Sequence, residues 1–231
     1  MEIDKLFIKN KIEEGRSALE EKEGFNIDRS KYMNASEADS CIRRQWYSKN
    51  NIEEAEQDWG FARRGSHGEK YLVESLKAAG VPLKWTGSEQ KSWADDETMI
   101  SATPDGVIEF EDEFISLEFK TIDPRTNQHN LPRPSHLTQL RLSMALINKL
   151  HYSTQSSLQV SMGLLIYMNA SNFNDITQFK VLYRENILEE YAERAEKILT
   201  SKSDKTLEQE GVSKGKYGCN YCPFKKPCGV H

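Results

Sequence analysis

Three charged side chains in the stretch Ser101–Ile122 (SATPDGVIEFEDEFISLEFKTI) are placed to do chemistry together: Asp105, Glu118 and Lys120. Glu118 and Lys120 sit two apart in a run of Phe, Ile and Leu, the pattern of a strand. Side chains two apart on a strand share a face, so these two project together and Phe119 points the other way, toward a core. A carboxylate and an ammonium on a buried strand need partners or a function, because burying either alone is costly. Asp105 lies thirteen residues before Glu118, on the neighbouring strand of the same hairpin. Two carboxylates can hold Mg²⁺ or Mn²⁺, and a lysine beside them can orient or deprotonate water. The layout fits metal-dependent phosphodiester hydrolysis. The plain alternative is a Glu–Lys pair on a solvated hairpin face, which would contribute little.

Two helical stretches offer further ligands. In Arg64-Gly65-Ser66-His67-Gly68-Glu69, a helix carboxylate aimed at the hairpin would add an oxygen donor, with Arg63 and Arg64 one turn back. Gly65 and Gly68 each cost a helix roughly 1 kcal/mol, which suggests close backbone approach there. His67 and Glu69 lie about 200° apart around the helix, so only one can face the site squarely; Glu69 is favoured, with His67 as the alternative. Further on, His136 and Gln139 share one helix face. Gln139 could bond the lysine, a water or a phosphate; as a plain alternative it is a polar surface residue.

The four cysteines are Cys41, alone near the N-terminus, and Cys219-x2-Cys222-x5-Cys228 in a tail rich in Gly and Pro. Three thiols so spaced read as a metal-binding knuckle rather than a disulfide framework. A tetrahedral centre needs a fourth ligand, and Cys41 is the cysteine that remains; if it serves, the two chain ends are joined. Zinc on four cysteines is one reading of this set.

These residues need elements to hold them. Helical patterns run over residues 2–23, ended by Gly24; over a segment after a Ser36 N-cap, containing Cys41, Arg43, Arg44, Trp46 and Tyr47; and over Ile52–Ala79, stopped by Gly80. Val81–Trp85 and Lys91–Trp93 read as short strands, then Ala102–Phe110, broken by Pro104-Asp105-Gly106, and Phe114–Phe119 as the hairpin. A loop rich in Pro, Asn and Arg precedes a helix over Ser135–Leu150. Strands over Leu158–Met168 and Ile176–Tyr183 and a helix over Glu185–Thr200 follow. The order predicts an α/β fold, a central mixed β-sheet flanked by helices. We expect a helical extension over 1–33 and one domain over 34–231.

At 231 residues, 37% of them hydrophobic, the chain can build a core. It has no apolar run of eighteen residues, so no membrane span is expected. The charged N-terminus does not read as a signal peptide, and a cytoplasmic protein is expected. A net charge of −5 argues against a generally basic protein that coats nucleic acid, but leaves room for a local basic groove.

The conjunction of Asp105, Glu118-x-Lys120 and Gln139 with one early cysteine and three late ones resembles the PD-(D/E)XK nuclease superfamily. The closest branch is the RecB-like nuclease domain with an iron–sulfur staple, which includes AddB-like and CRISPR-associated exonucleases and phage-borne relatives. Arg64-Gly65-x3-Glu69 looks like that group's R-G-x3-(E/H) helix, and the resemblance covers residues 34–231. It implies a restriction-endonuclease-like core and a Mg²⁺- or Mn²⁺-dependent DNA exonuclease acting on single strands or ends, in recombination, DNA processing or CRISPR adaptation. Asp105, Glu118, Glu69 and the backbone carbonyl of Phe119 would hold the metal, and Lys120 would serve the attacking water. Cys41, Cys219, Cys222 and Cys228 would bind a [4Fe–4S] cluster. Arg43, Arg44, Arg63, Arg64 and Arg141 are candidates for phosphate contacts. For partners it implies DNA, with a homo-oligomer or a recombination or CRISPR-adaptation protein as further candidates; a phage-borne member would work in the host cytoplasm. The family's Gln-x3-Tyr is broken here, with Ser143 at the tyrosine position. The alternatives are a DNA-end-binding module without catalysis and a zinc-stapled structural protein.

Overall fold

The computed structural model describes residues 29–52, 60–110, 113–152, 159–213, 218–220 and 222–230. The helix expected over 2–23 lies outside the described residues, as do residues 53–59 of the one expected from Ile52. Among the described residues the strands are β1 (Met33–Asn34), β2 (Leu83–Lys84), β3 (Trp93–Asp95), β4 (Ile100–Ala102), β5 (Gly106–Phe110), β6 (Glu113–Ile122), β7 (Met162–Asn169) and β8 (Asn172–Leu182). The helices are α1 (Ile42–Lys49), α2 (Gly60–Ala78), α3 (Pro134–Ile147), α4 (Ile187–Thr200) and the single turn α5 (Glu210–Ser213).

Five strands form the main sheet in the order β2-β5-β6-β7-β8. All its pairings are antiparallel except β6 with β7, the two strands joined through α3. A parallel pair needs such a crossover, and the amphipathic run after the Pro-rich loop supplies it. A second sheet of three strands, ordered β1-β4-β3, is also mixed. The expected α/β class is what is observed, with two sheets in place of one. The break expected in Ala102–Phe110 at Pro104-Asp105-Gly106 falls at Thr103-Pro104-Asp105, and the halves on either side of it belong to different sheets. Proline at 104 cannot donate to a ladder, so the chain leaves one sheet there and joins the other.

β6 divides two cores by its alternation. Ile115, Leu117 and Phe119 pack with Leu72 and Val73 of α2. Phe114 and Ile122 face the larger core, with Leu140, Met144 and Leu146 of α3 and Ile187, Ala195 and Ile198 of α4. Glu118 and Lys120 fall on this second face, and Phe119 on the other, as the alternation predicts.

The N-cap expected at Ser36 is displaced. Ser36 lies in a 3₁₀ turn, and Cys41 occupies the N-cap position of α1. The backbone N–H of Ile42 is satisfied instead by Glu210 Oε2 at 2.9 Å, from 168 residues along the chain. Arg194 of α4 grips the same carboxylate with two nitrogens and donates to the carbonyls of Ala38 and Ser40. The late segment is thus docked on the early one by side chains that no local pattern reveals.

Candidate active site

Glu118 lies at the middle of β6 and is 1% exposed. Its Oε1 accepts from Lys120 Nζ at 2.5 Å and from Gln139 Nε2 at 2.7 Å. Its Oε2 is buried and has no hydrogen-bond partner. Burial, then the nearby Asp105 carboxylate, pushes the Glu118 carboxyl up to about 8. Lys120 is pulled down by burial, but Glu118 and Asp105 outweigh this and hold it above its ordinary value.

Asp105 sits in the bend just before β5, rather than within a hairpin strand. Its Oδ2 accepts the Phe119 N–H at 2.6 Å, and its own N–H donates to the Leu117 carbonyl at 3.3 Å. The carboxylate is therefore fixed beside the backbone between Glu118 and Lys120. Burial raises its pKa against the opposing pull of Lys120 and the Phe119 N–H.

Glu69 and His67 separate as the helical wheel requires. His67 is exposed, whereas Glu69 is half-buried and accepts from Gln90 Nε2 at 2.9 Å. Burial, then the charge on Asp105, lifts Glu69 to about 7, with Lys120 pulling the other way. Glu69 thus belongs electrostatically to the Asp105–Glu118–Lys120 centre. Gly68 is what lets α2 come so close: a Cβ there would stand 2.5 Å from Thr121 Oγ1 and 2.7 Å from Met168 Cε. Gly65 has open space around it, so the close approach expected there is absent.

Gln139 is brought to Glu118 by α3. Ser143, one turn on, is buried and donates its hydroxyl back to the Gln139 carbonyl. The arginines spread over several regions. Arg43 donates to the Leu207 carbonyl at 2.8 Å and lies 3.8 Å from Asp204. Arg44 is exposed and lines the cleft that holds the cysteines. Arg63 and Arg64 are half-buried on α2, the helix of Glu69, and the charge of Arg64 reaches Asp123 just past β6. Arg141 is half-buried on α3, its Nε without a partner.

Cys41, Cys219, Cys222 and Cys228 line one cleft with Tyr47 and Phe224, and all four are free thiols. Burial, then the other three sulfurs, raises the Cys219 thiol; burial raises Cys222. Gly211 and Gly218 close this corner, where a Cβ on Gly218 would fall 2.1 Å from the Gly211 carbonyl oxygen. Among the described residues, no group of three or more His, Cys, Asp or Glu stands ready arranged to hold a metal ion. Nor is any helix among them long and apolar enough to cross a membrane.

Sequence reasoning missed Gln90, which steadies Glu69, and Tyr167 of β7, which pairs in register with Lys120. Tyr167 reads in sequence as one more aromatic of a core strand, and Gln90 as a loop residue.

The family profile described as the PD-(D/E)XK nuclease superfamily matches residues 19–229. The chain belongs to that superfamily. Asp105, Glu118 and Lys120, which the fold brings together, are of the residue types in the superfamily's name. Among solved structures, the protein SSO0001 matches with a TM-score of 0.61 and 16% identity over 96% of both chains. An alkaline exonuclease, LHK-Exo from Laribacter hongkongensis, matches at 0.51 and 14% identity over 80% of this chain and 93% of that one. The same enzyme in complex with dAMP matches at 0.51 and 13% identity, over 74% and 87%. At such identities the likeness is one of fold. No curated protein matches the chain.

Proposed function

We propose that this chain is a Mg²⁺- or Mn²⁺-dependent DNA nuclease, an exonuclease acting on single strands or DNA ends. The observation that carries the reading is Glu118 Oε2, a buried carboxylate oxygen left without a donor beside a second carboxylate. A divalent cation would satisfy it, and Glu118, Asp105, the Phe119 carbonyl and Glu69 are the residues that would hold one. When bound, such a cation activates water and offsets charge developing on the phosphate.

The chain's own residues do the rest. Asp105 is held in place by the Phe119 N–H, and Glu118 by Gln139 and Lys120. Lys120 is kept charged by two carboxylates, so it acts as an orienting donor and electrostatic stabiliser rather than as a base. Glu69, rather than His67, is the helix donor, because it is half-buried and shares the field of Asp105 and Lys120, whereas His67 is exposed. Arg63 and Arg64, on the same helix, are the best-placed candidates for substrate phosphates, and Arg141 is a further one; Arg43 and Arg44 serve the cysteine corner. The relation to an alkaline exonuclease, seen also with dAMP, supports a nucleic-acid substrate.

We assign the four cysteines to a [4Fe–4S] staple. The support is their convergence on one cleft from the two ends of the domain and the match of soft thiolate donors to iron–sulfur chemistry. Recombination, DNA processing and CRISPR adaptation are the settings in which such an activity would serve.

The test uses protein purified without oxygen and DNA labelled at either end. Stepwise shortening of single strands with Mn²⁺ or Mg²⁺, abolished by chelator, together with bound iron and sulfide, is the expected result. Binding to DNA ends without cleavage would favour a non-catalytic module, and zinc without iron would replace the cluster by a zinc staple.

A further inference from the structure

Tyr167 and His136 stand beside the charged centre, and the reading above gives neither a role. Tyr167 pairs with Lys120 across the parallel β6–β7 ladder, so both side chains lie on one face of the sheet. Its side chain is 1% exposed. The Arg133 N–H donates to Tyr167 Oη at 3.1 Å, and His136 Nδ1 lies 2.8 Å from the same oxygen. Arg133 and His136 open α3, and Gln139 follows one turn later on the same helix face.

The direction of these bonds follows from a proton count. A backbone N–H can only donate, so Tyr167 Oη accepts from Arg133. The phenol then keeps one proton to give, and His136 Nδ1 is the acceptor within reach. With the bond in that direction His136 is neutral, its proton on Nε2. Burial, then the charges of Lys120 and Arg133, depresses the His136 pKa to about 3, in keeping with that state. The ring of Tyr167 is braced by Phe179 of β8, edge on at 5.9 Å.

We propose that Tyr167 and His136 are a positioning pair, which ties the first turn of α3 to β7 and so fixes where Gln139 and Lys120 meet Glu118. The pair rests on the nuclease reading for its catalytic consequence, but not for its geometry. It acts through other residues and touches no substrate. Its two members work as one device, because removing either leaves the other without its bond.

The test compares Tyr167→Phe, His136→Leu and the double variant with wild type, and adds His136→Asn, whose side-chain oxygen can accept where Nδ1 does. Each single loss lowers kcat by about ten- to a hundredfold with KM little changed, as a small misplacement of catalytic groups does. The double variant is no worse than either single one, and His136→Asn regains most of the rate. A merely structural role predicts lower melting temperatures with unchanged kcat, and that result would overturn the proposal. The second readout is the NMR signal of the Lys120 ε-carbon at one fixed pH, identified by its disappearance in Lys120→Arg. It moves in Tyr167→Phe and His136→Leu and stays in place in His136→Asn. If wild type cleaves no DNA, the nuclease reading falls while this signal still judges the pair. An unmoved Lys120 signal in Tyr167→Phe overturns the pair even where cleavage is robust.

Discussion

Glu118 is asked to be a buried anion, and its surroundings satisfy only one of its two oxygens. This has a thermodynamic signature in the metal-free protein. The carboxyls of Glu118 and Glu69 rise on folding from an ordinary 4.5 to about 8 and about 7. The folded state then binds protons more tightly than the unfolded chain between those limits. Stability from these groups is fully present below about pH 4.5 and is lost as pH climbs toward 8. In chelator, the melting temperature should fall across pH 5–8, and Glu118→Gln should flatten that fall. Manganese should restore wild type most at the alkaline end and leave Glu118→Gln unchanged. A flat profile in wild type would show that the centre is less strained than its burial implies. A second expectation separates the two helix candidates: Glu69→Ala should lose metal-dependent cleavage, and His67→Ala should keep it. The opposite pattern in paired activity assays would mean that α2 presents its other face to the site.

The helix α2 reaches the sheet only because residue 68 has no side chain. Gly68→Ala sets a methyl against Thr121 and Met168, next to Lys120, and should cost about 1–2 kcal/mol together with activity. Gly65→Ala meets open space and should gain up to about 1 kcal/mol from helix propensity. Denaturant unfolding of the two variants checks both signs. The contrast also shows what sequence can carry. Glycine in a helix flags a close approach, but which of two glycines makes it depends on a partner strand fifty residues on. Periodicity is enough to place Glu118 and Lys120 on one face of β6 and Gln139 beside His136 on one face of α3, but not to show that this helix face points inward. It could not show that Pro104 sends the chain from one sheet to another, because both halves read as strand. Nor could it show that Glu210 caps α1, since the hydrogen bond spans most of the chain. Tyr167 is hidden for the same reason: its place opposite Lys120 depends on which strand lies beside β6.

At the scale of the whole molecule, the early and late segments meet at the cysteine cleft and are tied together by the Arg194–Glu210 grip on α1. Cys41 and Cys219 are roughly 180 residues apart, and a link closing so long a loop stabilises by about 4–5 kcal/mol if the disulfide formula is borrowed. With the proposed [4Fe–4S] cluster bound, the protein should be brown, and serine at any of the four cysteines should remove that colour and lower the melting temperature alike, since all four would act on one centre. Glu210→Gln alone should be milder, and combined with Cys41→Ser it should unfold the domain. Full iron content and normal melting in Cys41→Ser would remove Cys41 from the centre. The central claim, however, is the chemistry at β6, and one measurement reaches it most directly. Cleavage of labelled DNA with Mn²⁺ should be abolished in Asp105→Ala, Glu118→Ala and Lys120→Ala, each shown by circular dichroism to be folded. Wild-type cleavage in any one of the three would contradict the assignment of that centre as the active site.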